Sequence, residues 1–503
     1  MRGVTPFADV IGFDQVSTVA GVLSQLEASP TLSAAAASGR NRFGYLFPEL
    51  QNPADLLPTS ASTVQALKDL GDAMSEPGTD AALDSDIPSA YAHFGQFVDH
   101  DIVLMNLRGA RLSDPDLAPL PPAAVADIEN VRDPRLDLES VYADAPHAGG
   151  DLLRLGKVKN VGRRPQEKEG DFFDLPRSDK SCDPLHDRVP HIGERRNNET
   201  TIIGQMHVAF LRAHNSVVRA GYEHCAARSL LRHYYQSVIV HDFLPRVADP
   251  AVVAEMLAEP WAHFNPDQGE SFMPLEFSAA AFRFGHSMVR NSYRLSDVRP
   301  SESLLKLFSV LGRYPRMPDN WIIQWENFLD GGPNRARFID TRLAQGLFTV
   351  PGLQRGDEIR LPVRTLLRGY QLSLPTGQAV ARALGLKPAE VLTESEIEAV
   401  AGRVPGGAQL EVVREERTAD NGSKWKLSTR TPLWFYILAE AEHSRHGLGR
   451  GHHLGPVGSR LVAGVLVALV RASKNSILKV PGWPPARDPG FKLSDLLRLA
   501  RVL

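Results

Sequence analysis

Residues Tyr91 to Met105 read Tyr-Ala-His-Phe-Gly-Gln96-Phe-Val-Asp99-His100-Asp101-Ile-Val-Leu-Met. Phe94, Phe97, Val98, Ile102 and Met105 recur at three- and four-residue steps, and this spacing predicts an amphipathic helix running through Met105. Gln96 and His100 then share a face one turn apart, with Asp99 beside them, while Asp101 points elsewhere. One turn of helix thus presents an amide, a carboxylate and an imidazole together. Most polar helix faces of this kind are solvated flanks, and only companion residues elsewhere in the chain raise this one above them.

The bulk properties narrow the field. A chain of 503 residues can bury a large core. A net charge of −3 gives no general electrostatic reason to expect nucleic acid or an anionic membrane as partner. The only cysteines, Cys182 and Cys225, provide no disulfide framework and no Cys/His zinc pattern. The start, Met-Arg-Gly-Val-Thr-Pro-Phe-Ala, lacks the basic opening and apolar run of a secretory signal. The apolar run Leu461 to Val470 is about half of the ~20 residues a membrane span needs. A soluble protein is expected, cytoplasmic or exported without a cleavable signal peptide. Nothing in the sequence speaks to oligomeric state.

The expected architecture is mainly α: residues 1–85 form an N-terminal arm packed on the body, and 86–503 form one large helical domain with few short strands. Helical stretches are expected near Val16–Leu26, Ala61–Met74, Thr200–Arg219, Leu433–His443 and Leu461–Ser473. Two more, between Leu230 and Leu257, are expected to be broken at Pro245 and Pro250. Asp420-Asn-Gly-Ser423 is a hairpin-turn signal. Asp133, Asp137 and Glu139, with the Arg135 carbonyl among them, make an oxygen-rich loop suited to a hard cation, although alternating acids are usually a solvated edge. Arg196 and Glu199 lie one turn apart in Gly193-Glu-Arg-Arg-Asn-Asn-Glu199, most simply an exposed salt bridge. Phe277 to Arg290 reads as a helix carrying His286, and Gly285 before it allows close approach to the backbone.

Three of these segments, in order, resemble one family. Phe94-Gly-Gln-Phe-Val-Asp-His-Asp101 resembles the distal-helix signature of animal-type haem peroxidases, within the peroxidase–cyclooxygenase superfamily. Gly193–Glu199, followed by His207 and His214-Asn215, resembles their catalytic-arginine segment, and Ala281-Phe-Arg-Phe-Gly-His286 their proximal-histidine segment. The likeness runs from about Tyr91 to the Pro375 region, and more faintly to Thr431-Pro-Leu-Trp-Phe-Tyr436, and suggests a short, bacterial-like member.

The resemblance implies a haem enzyme that reduces hydrogen peroxide and oxidises a small donor, a halide, thiocyanate, phenol or other organic molecule, through a ferryl species. His286 would be the iron ligand and His100 the distal base. Arg196 would stabilise the charge that develops as the oxygen–oxygen bond breaks. Gln96 would line the distal pocket, and Arg283 and Arg368 would meet the haem propionates. Asp99 and Glu199 occupy the positions that form haem esters in mammalian-type members, whereas Thr200 stands where a third link would need Met. The family's calcium loop would here be Asp101, Asp133, the Arg135 carbonyl, Asp137 and Glu139. One departure is plain: Thr365 replaces the Asn that usually hydrogen-bonds the proximal imidazole.

Two other functions are compatible with the same residues. A haem-dependent fatty-acid dioxygenase of the superfamily would need a radical tyrosine, and Arg283 occupies the position where cyclooxygenases carry it. A non-enzymatic adhesion or scaffold protein would be marked by loss of His100 or Arg196, and both are present.

Overall fold

The structure is a computed structural model that describes residues 41–503 apart from 77, 79–80, 108–111, 113, 115, 144, 163–171, 178–188, 267–271, 311–315, 351–358, 444–448 and 480–489. The helix expected at Val16–Leu26 lies outside the described residues.

The protein is mainly helical, with small sheets. The helices that matter here are α1 (Ala61–Ala73), α2 (Ala90–Ile102), α3 (Thr201–Arg219), α4 (His224–Val238), α5 (Pro250–Ala258), α6 (Leu361–Gln371), α7 (Gly377–Ala383), α8 (Leu433–Glu442), α9 (Pro456–Ala472) and α10 (Leu493–Leu499). Hydroxyl caps start several of them: Ser60 Oγ accepts the Thr63 N–H of α1 at 3.1 Å, and Thr200 Oγ1 accepts the Ile203 N–H of α3 at 3.4 Å.

The apolar stripe of α2 is spent on α3 and α4. Phe97 stacks on Phe210 with ring centroids 4.5 Å apart, and both rings stand edge-on to Tyr235. These aromatic contacts lock the helix that carries His100 to the two helices behind it. Helix α9 is apolar nearly all round and accordingly lies in the core. Among the described residues, no helix is long and apolar enough to cross a membrane.

A four-stranded sheet gathers distant parts of the chain. Its strands are β1 (Arg42–Gly44), β2 (Met105–Asn106), β3 (Glu129–Asn130) and β4 (Phe272–Pro274), in the order β2-β3-β1-β4. Strand β1 runs antiparallel to β3 and parallel to β4. Just beyond it, the Leu46 and Phe47 amides donate to the fully buried Glu276 carboxylate at 2.8 and 3.2 Å. Burial pushes that carboxyl up to about 7, against the pull of those amides.

Three local expectations need correction. Helix α2 stops at Ile102, and Met105 belongs to β2. Phe277–Arg290 is not one helix: a short turn, Leu275–Ser278, is followed by a 3-10 turn, Ala281–His286, with Ala280 between them off helical geometry (φ −133°, ψ −70°). Pro245 does not break the chain into separate helices, because α4 widens into a π-helical turn at Ile239–Phe243 and continues through Leu244–Val247. A proline in the first turn of that last segment gives up an N–H that the widened turn need not pair. The hairpin signal holds: Arg417–Thr418 pairs with Lys424–Trp425 around Gly422, whose φ of 80° suits glycine.

Candidate functional site

Helix α2 delivers Asp99 and His100 to the interior and leaves Gln96 half-buried on the same face. His100 Nδ1 lies 2.9 Å from Asn197 Oδ1. Burial and the nearby Arg196 charge bring the imidazole down to about 3, so it is neutral at ordinary pH, although Glu194 and Asn197 oppose the shift.

Arg196 is fixed from two sides. Its Nη2 donates to the carbonyls of His100 at 3.2 Å and Val103 at 2.7 Å, which are unpaired acceptors at the C-terminal end of α2. On the other side, Glu194 caps the 3-10 turn Arg195–Asn198 by accepting the Arg196 N–H at 2.8 Å, and it also grips the guanidinium. Burial alone would raise Glu194, but the Arg196 hydrogen bond and the charges of Arg196, His100 and Arg132 bring it down to about 2. The same pairing raises Arg196 despite its own desolvation, which keeps it a permanent cation.

Asp99 faces the other histidine segment. Its Oδ2 accepts from Arg283 Nη1 at 3.1 Å, and its buried Oδ1 makes no hydrogen bond. Burial raises this carboxyl against the pull of Arg283 and Arg196. Glu199 is exposed, yet enough protein surrounds it to push it up to about 7; Arg196 opposes the shift and Glu194 adds to it.

His286 closes the 3-10 turn that contains Arg283, with its ring 6.0 Å from that of buried Trp434 at 75°. Trp434 Nε1 donates to the Arg283 carbonyl at 3.1 Å, and Arg283 Nε donates to the Ser278 carbonyl at 2.8 Å. His286 Nδ1 is buried without a hydrogen-bond partner, and burial, with the charges of Arg283 and Arg364, brings the imidazole down to about 3. Thr365 does not serve it: its hydroxyl donates to the Leu361 carbonyl of its own helix at 2.8 Å. Arg368, one turn later, hydrogen-bonds Gln371 Oε1. A Cβ on Gly285 would meet no atom within 4 Å, so space lies open beside His286.

The acidic loop folds onto Asp101. The Ser140 and Leu138 amides donate to its carboxylate at 2.8 and 3.2 Å. Leu136 and Leu138 adopt left-handed backbone (φ 52° and 62°), a strained conformation for leucine that the loop maintains. Burial, then the charge of Asp137, pushes Asp101 up to about 7. Asp137 Oδ1 is buried and unpartnered, while Oδ2 lies 4.0 and 3.9 Å from Arg228 and Arg232. Asp133 Oδ1 takes Arg135 Nε at 2.9 Å, and Glu139 Oε2 takes the Asp133 N–H at 2.8 Å. The expected cation ligands therefore point to different partners, and no group of three or more acids, histidines or cysteines among the described residues is placed to hold a metal.

Asn197, Glu194, Arg132 and Trp434 are site residues that the sequence did not single out. Glu194 and Asn197 lie inside the quoted arginine segment, but a Glu and an Asn at a helix start read as ordinary cap and turn residues. Trp434 is far away in sequence, in the Thr431–Tyr436 segment that the resemblance reaches only faintly.

A family model described as animal haem peroxidase matches residues 125–390. That range includes the acidic loop, Arg196, Glu199, His286 and Arg368, and begins after α2. A peroxidase-like protein of Margaritifera margaritifera is 26% identical over 42% of this chain and 33% of its own length. Thyroid peroxidase of Mus musculus is 28% identical over 31% of this chain and 19% of its own length. The chain thus matches a third or less of these curated relatives. Peroxidase A of Dictyostelium discoideum superposes with a TM-score of 0.58 at 16% identity, covering 88% of both chains. Fatty acid alpha-dioxygenase of Oryza sativa gives 0.55 at 14% identity over 88% of this chain and 81% of that one, so both likenesses speak to the fold. With a family match over more than half of its residues, the chain belongs to the animal haem peroxidase family.

Proposed function

We propose that the protein is a haem peroxidase that reduces hydrogen peroxide to water at the expense of a small donor. The observation that carries this reading is the Asp99–Arg283 ion pair at 3.1 Å. Asp99 directly precedes His100 and Arg283 lies three residues before His286, so the pair ties both histidine segments to one centre. The donor set fits a haem: a neutral imidazole at His286 with open space beside Gly285, and the cation of Arg283. Arg368 is assigned with Arg283 to the propionates.

Bound haem supplies the redox chemistry at the iron. His100 Nε2 takes the proton of peroxide and returns it to the departing oxygen, a task for which a neutral imidazole is required. Arg196 faces the developing negative charge with a fixed cation, and Gln96 holds water or an anionic donor beside it. Halide, thiocyanate and phenolic donors all suit such a site. The test is to load the purified protein with haem and follow donor oxidation: peroxide-dependent turnover is expected. Oxygen uptake with a fatty acid and no peroxide requirement would point instead to a dioxygenase, which Arg283 in place of a tyrosine disfavours. A haem band indifferent to peroxide would favour a scaffold.

Asp99 and Glu199 are assigned as ester positions to the haem: Asp99 is buried with an unpaired Oδ1 and gains by losing its charge, whereas Glu199 is exposed and is assigned by its place three residues after Arg196. After peroxide turnover, acidified organic solvent should then leave haem on the parent and extract it from Asp99→Ala/Glu199→Ala. Equal extraction from both would remove the esters. A calcium ion is proposed at Asp101 and Asp137, where Asp137 Oδ1 is unpartnered, although the present arrangement does not itself gather the ligands: Asp133, the Arg135 carbonyl and Glu139 would have to leave their present partners to join it. Residues 86–503 are assigned as the catalytic domain and 1–85 as its arm.

A further inference from the structure

We propose that Asn197 and His207 hold His100 in a single tautomer, with its proton on Nδ1 and its lone pair on Nε2. The inference rests on the reading of His100 as the base for peroxide and adds to it two positioning residues.

A side-chain amide has a carbonyl that only accepts and an NH₂ that only donates, so its two ends are not interchangeable. Asn197 Oδ1 lies 2.9 Å from His100 Nδ1, and Asn197 Nδ2 lies 3.0 Å from His207 Nδ1. In this arrangement His100 Nδ1 donates and His207 Nδ1 accepts. The lone pair of His100 is therefore on Nε2, where a proton can be taken. A half-turn of the amide would reverse both contacts, and His100 would present an N–H at Nε2 that cannot accept. His207 is coupled to this choice: reversing the amide would require its proton to move from Nε2, which is buried without a hydrogen-bond partner, to Nδ1.

The surroundings restrain all three groups. Asn197 and His207 are fully buried and His100 nearly so, which leaves little opportunity for water to replace a contact. The Asn197 backbone is held in the Glu194-capped turn through its N–H to the Glu194 carbonyl at 3.1 Å. His207, on α3, stands edge-to-face with Phe97 of α2 at 6.2 Å and 69°. One turn of chain thus presents the Arg196 cation and fixes the proton position on the base beside it.

The experiment compares haem-loaded parent, Asn197→Ala, Asn197→Asp, His207→Phe and His100→Ala. Nitrogen NMR of histidine-labelled protein, in the diamagnetic ferrous carbon monoxide adduct, reads which ring nitrogen of His100 carries the proton. A second readout is the rate of reaction with peroxide. The parent should show His100 protonated on Nδ1. Asn197→Ala and His207→Phe should populate the Nε2-protonated form and slow the peroxide reaction by about 10- to 100-fold. Asn197→Asp accepts through both oxygens, so it should restore Nδ1 protonation of His100, recover most of the rate lost in Asn197→Ala, and move the His207 proton onto Nδ1. If either Asn197→Ala or His207→Phe folds and keeps both the parent tautomer and the parent rate, the inference is overturned. Failure of the underlying reading looks different: His100→Ala would react with peroxide as fast as the parent, whatever tautomer the NMR shows.

Discussion

Glu194 grips Arg196 with both carboxylate oxygens, Oε1 at 3.1 Å from Nε and Oε2 at 2.8 Å from Nη2. The same Oε2 accepts from Arg132 Nε at 3.0 Å, and Arg132 lies 4.0 Å from Glu139 of the acidic loop. One buried carboxylate therefore couples Arg196 to the loop that wraps Asp101.

Glu194→Ala should destabilise the protein by about 3–5 kcal/mol, since removing one partner strands buried guanidinium groups. Because two cations depend on this carboxylate, the loss should also displace Arg196 and slow the peroxide reaction. Denaturant unfolding checks the first effect, and a midpoint equal to the parent's would contradict it.

Thr365→Asn should lower the reduction potential of the haem-loaded protein. The native hydroxyl is committed to the Leu361 carbonyl, leaving His286 Nδ1 without an acceptor. An asparagine carbonyl within reach would draw that proton, make the imidazole a stronger donor and favour ferric iron. Potentiometric titration of both proteins is the check; an unchanged or higher potential would count against it.

Acid should destabilise the fold partly through neutral buried histidines. His233 donates Nε2 to the Asn475 carbonyl at 2.8 Å, and burial lowers it from 6.5 to about 4. The unfolded chain takes up this proton as pH falls below 6.5 and the native protein does not, so the contribution is present above that value and is lost toward pH 4. The loss is on the order of 3 kcal/mol for one such group. His93, at about 4, acts in the same direction. Glu276 works oppositely: raised to about 7 from 4.5, it favours the native state below its ordinary value and loses that contribution as pH rises through 7. His233→Gln, which retains a donor, should flatten the fall in denaturant midpoint between pH 7 and pH 4. An equally steep fall would show that His233 does not titrate as described.

Asp137→Ala should lower both calcium content and peroxidase activity, although Asp137 lies outside the histidine pair. The loop it belongs to is bonded through Leu138 and Ser140 to Asp101, the neighbour of His100. Elemental analysis that finds no calcium in active parent protein would dismiss the assignment.

Helix α2 was legible because its apolar spacing maps directly onto buried Phe94, Phe97, Val98 and Ile102. Its end was not, because a distant side chain terminates it: Asn130 accepts the Leu104 N–H and donates to the Ile102 carbonyl, both at 2.9 Å. The segments that carry His100, Arg196 and His286 could be picked out from the sequence, and folding sets Asp99 beside Arg283 at 3.1 Å. The bridging position of Asn197 could not be picked out, since it is set by two imidazoles brought in from α2 and α3. The loop acids were legible as a cluster, but Arg228 and Arg232, the partners of Asp137, come from α4 through packing that no local pattern encodes.

The central claim is that His286 holds the haem and His100 moves the proton of peroxide. Rapid-mixing absorbance spectroscopy of haem-loaded protein with hydrogen peroxide tests it directly, comparing the parent with His100→Ala and His286→Ala. The account predicts a fast change of the haem band in the parent, a reaction slower by about 10²- to 10⁴-fold in His100→Ala with haem retained, and little bound haem in His286→Ala. A His100→Ala protein that reacts at the parent rate, or a His286→Ala protein that binds haem as the parent does, would contradict it.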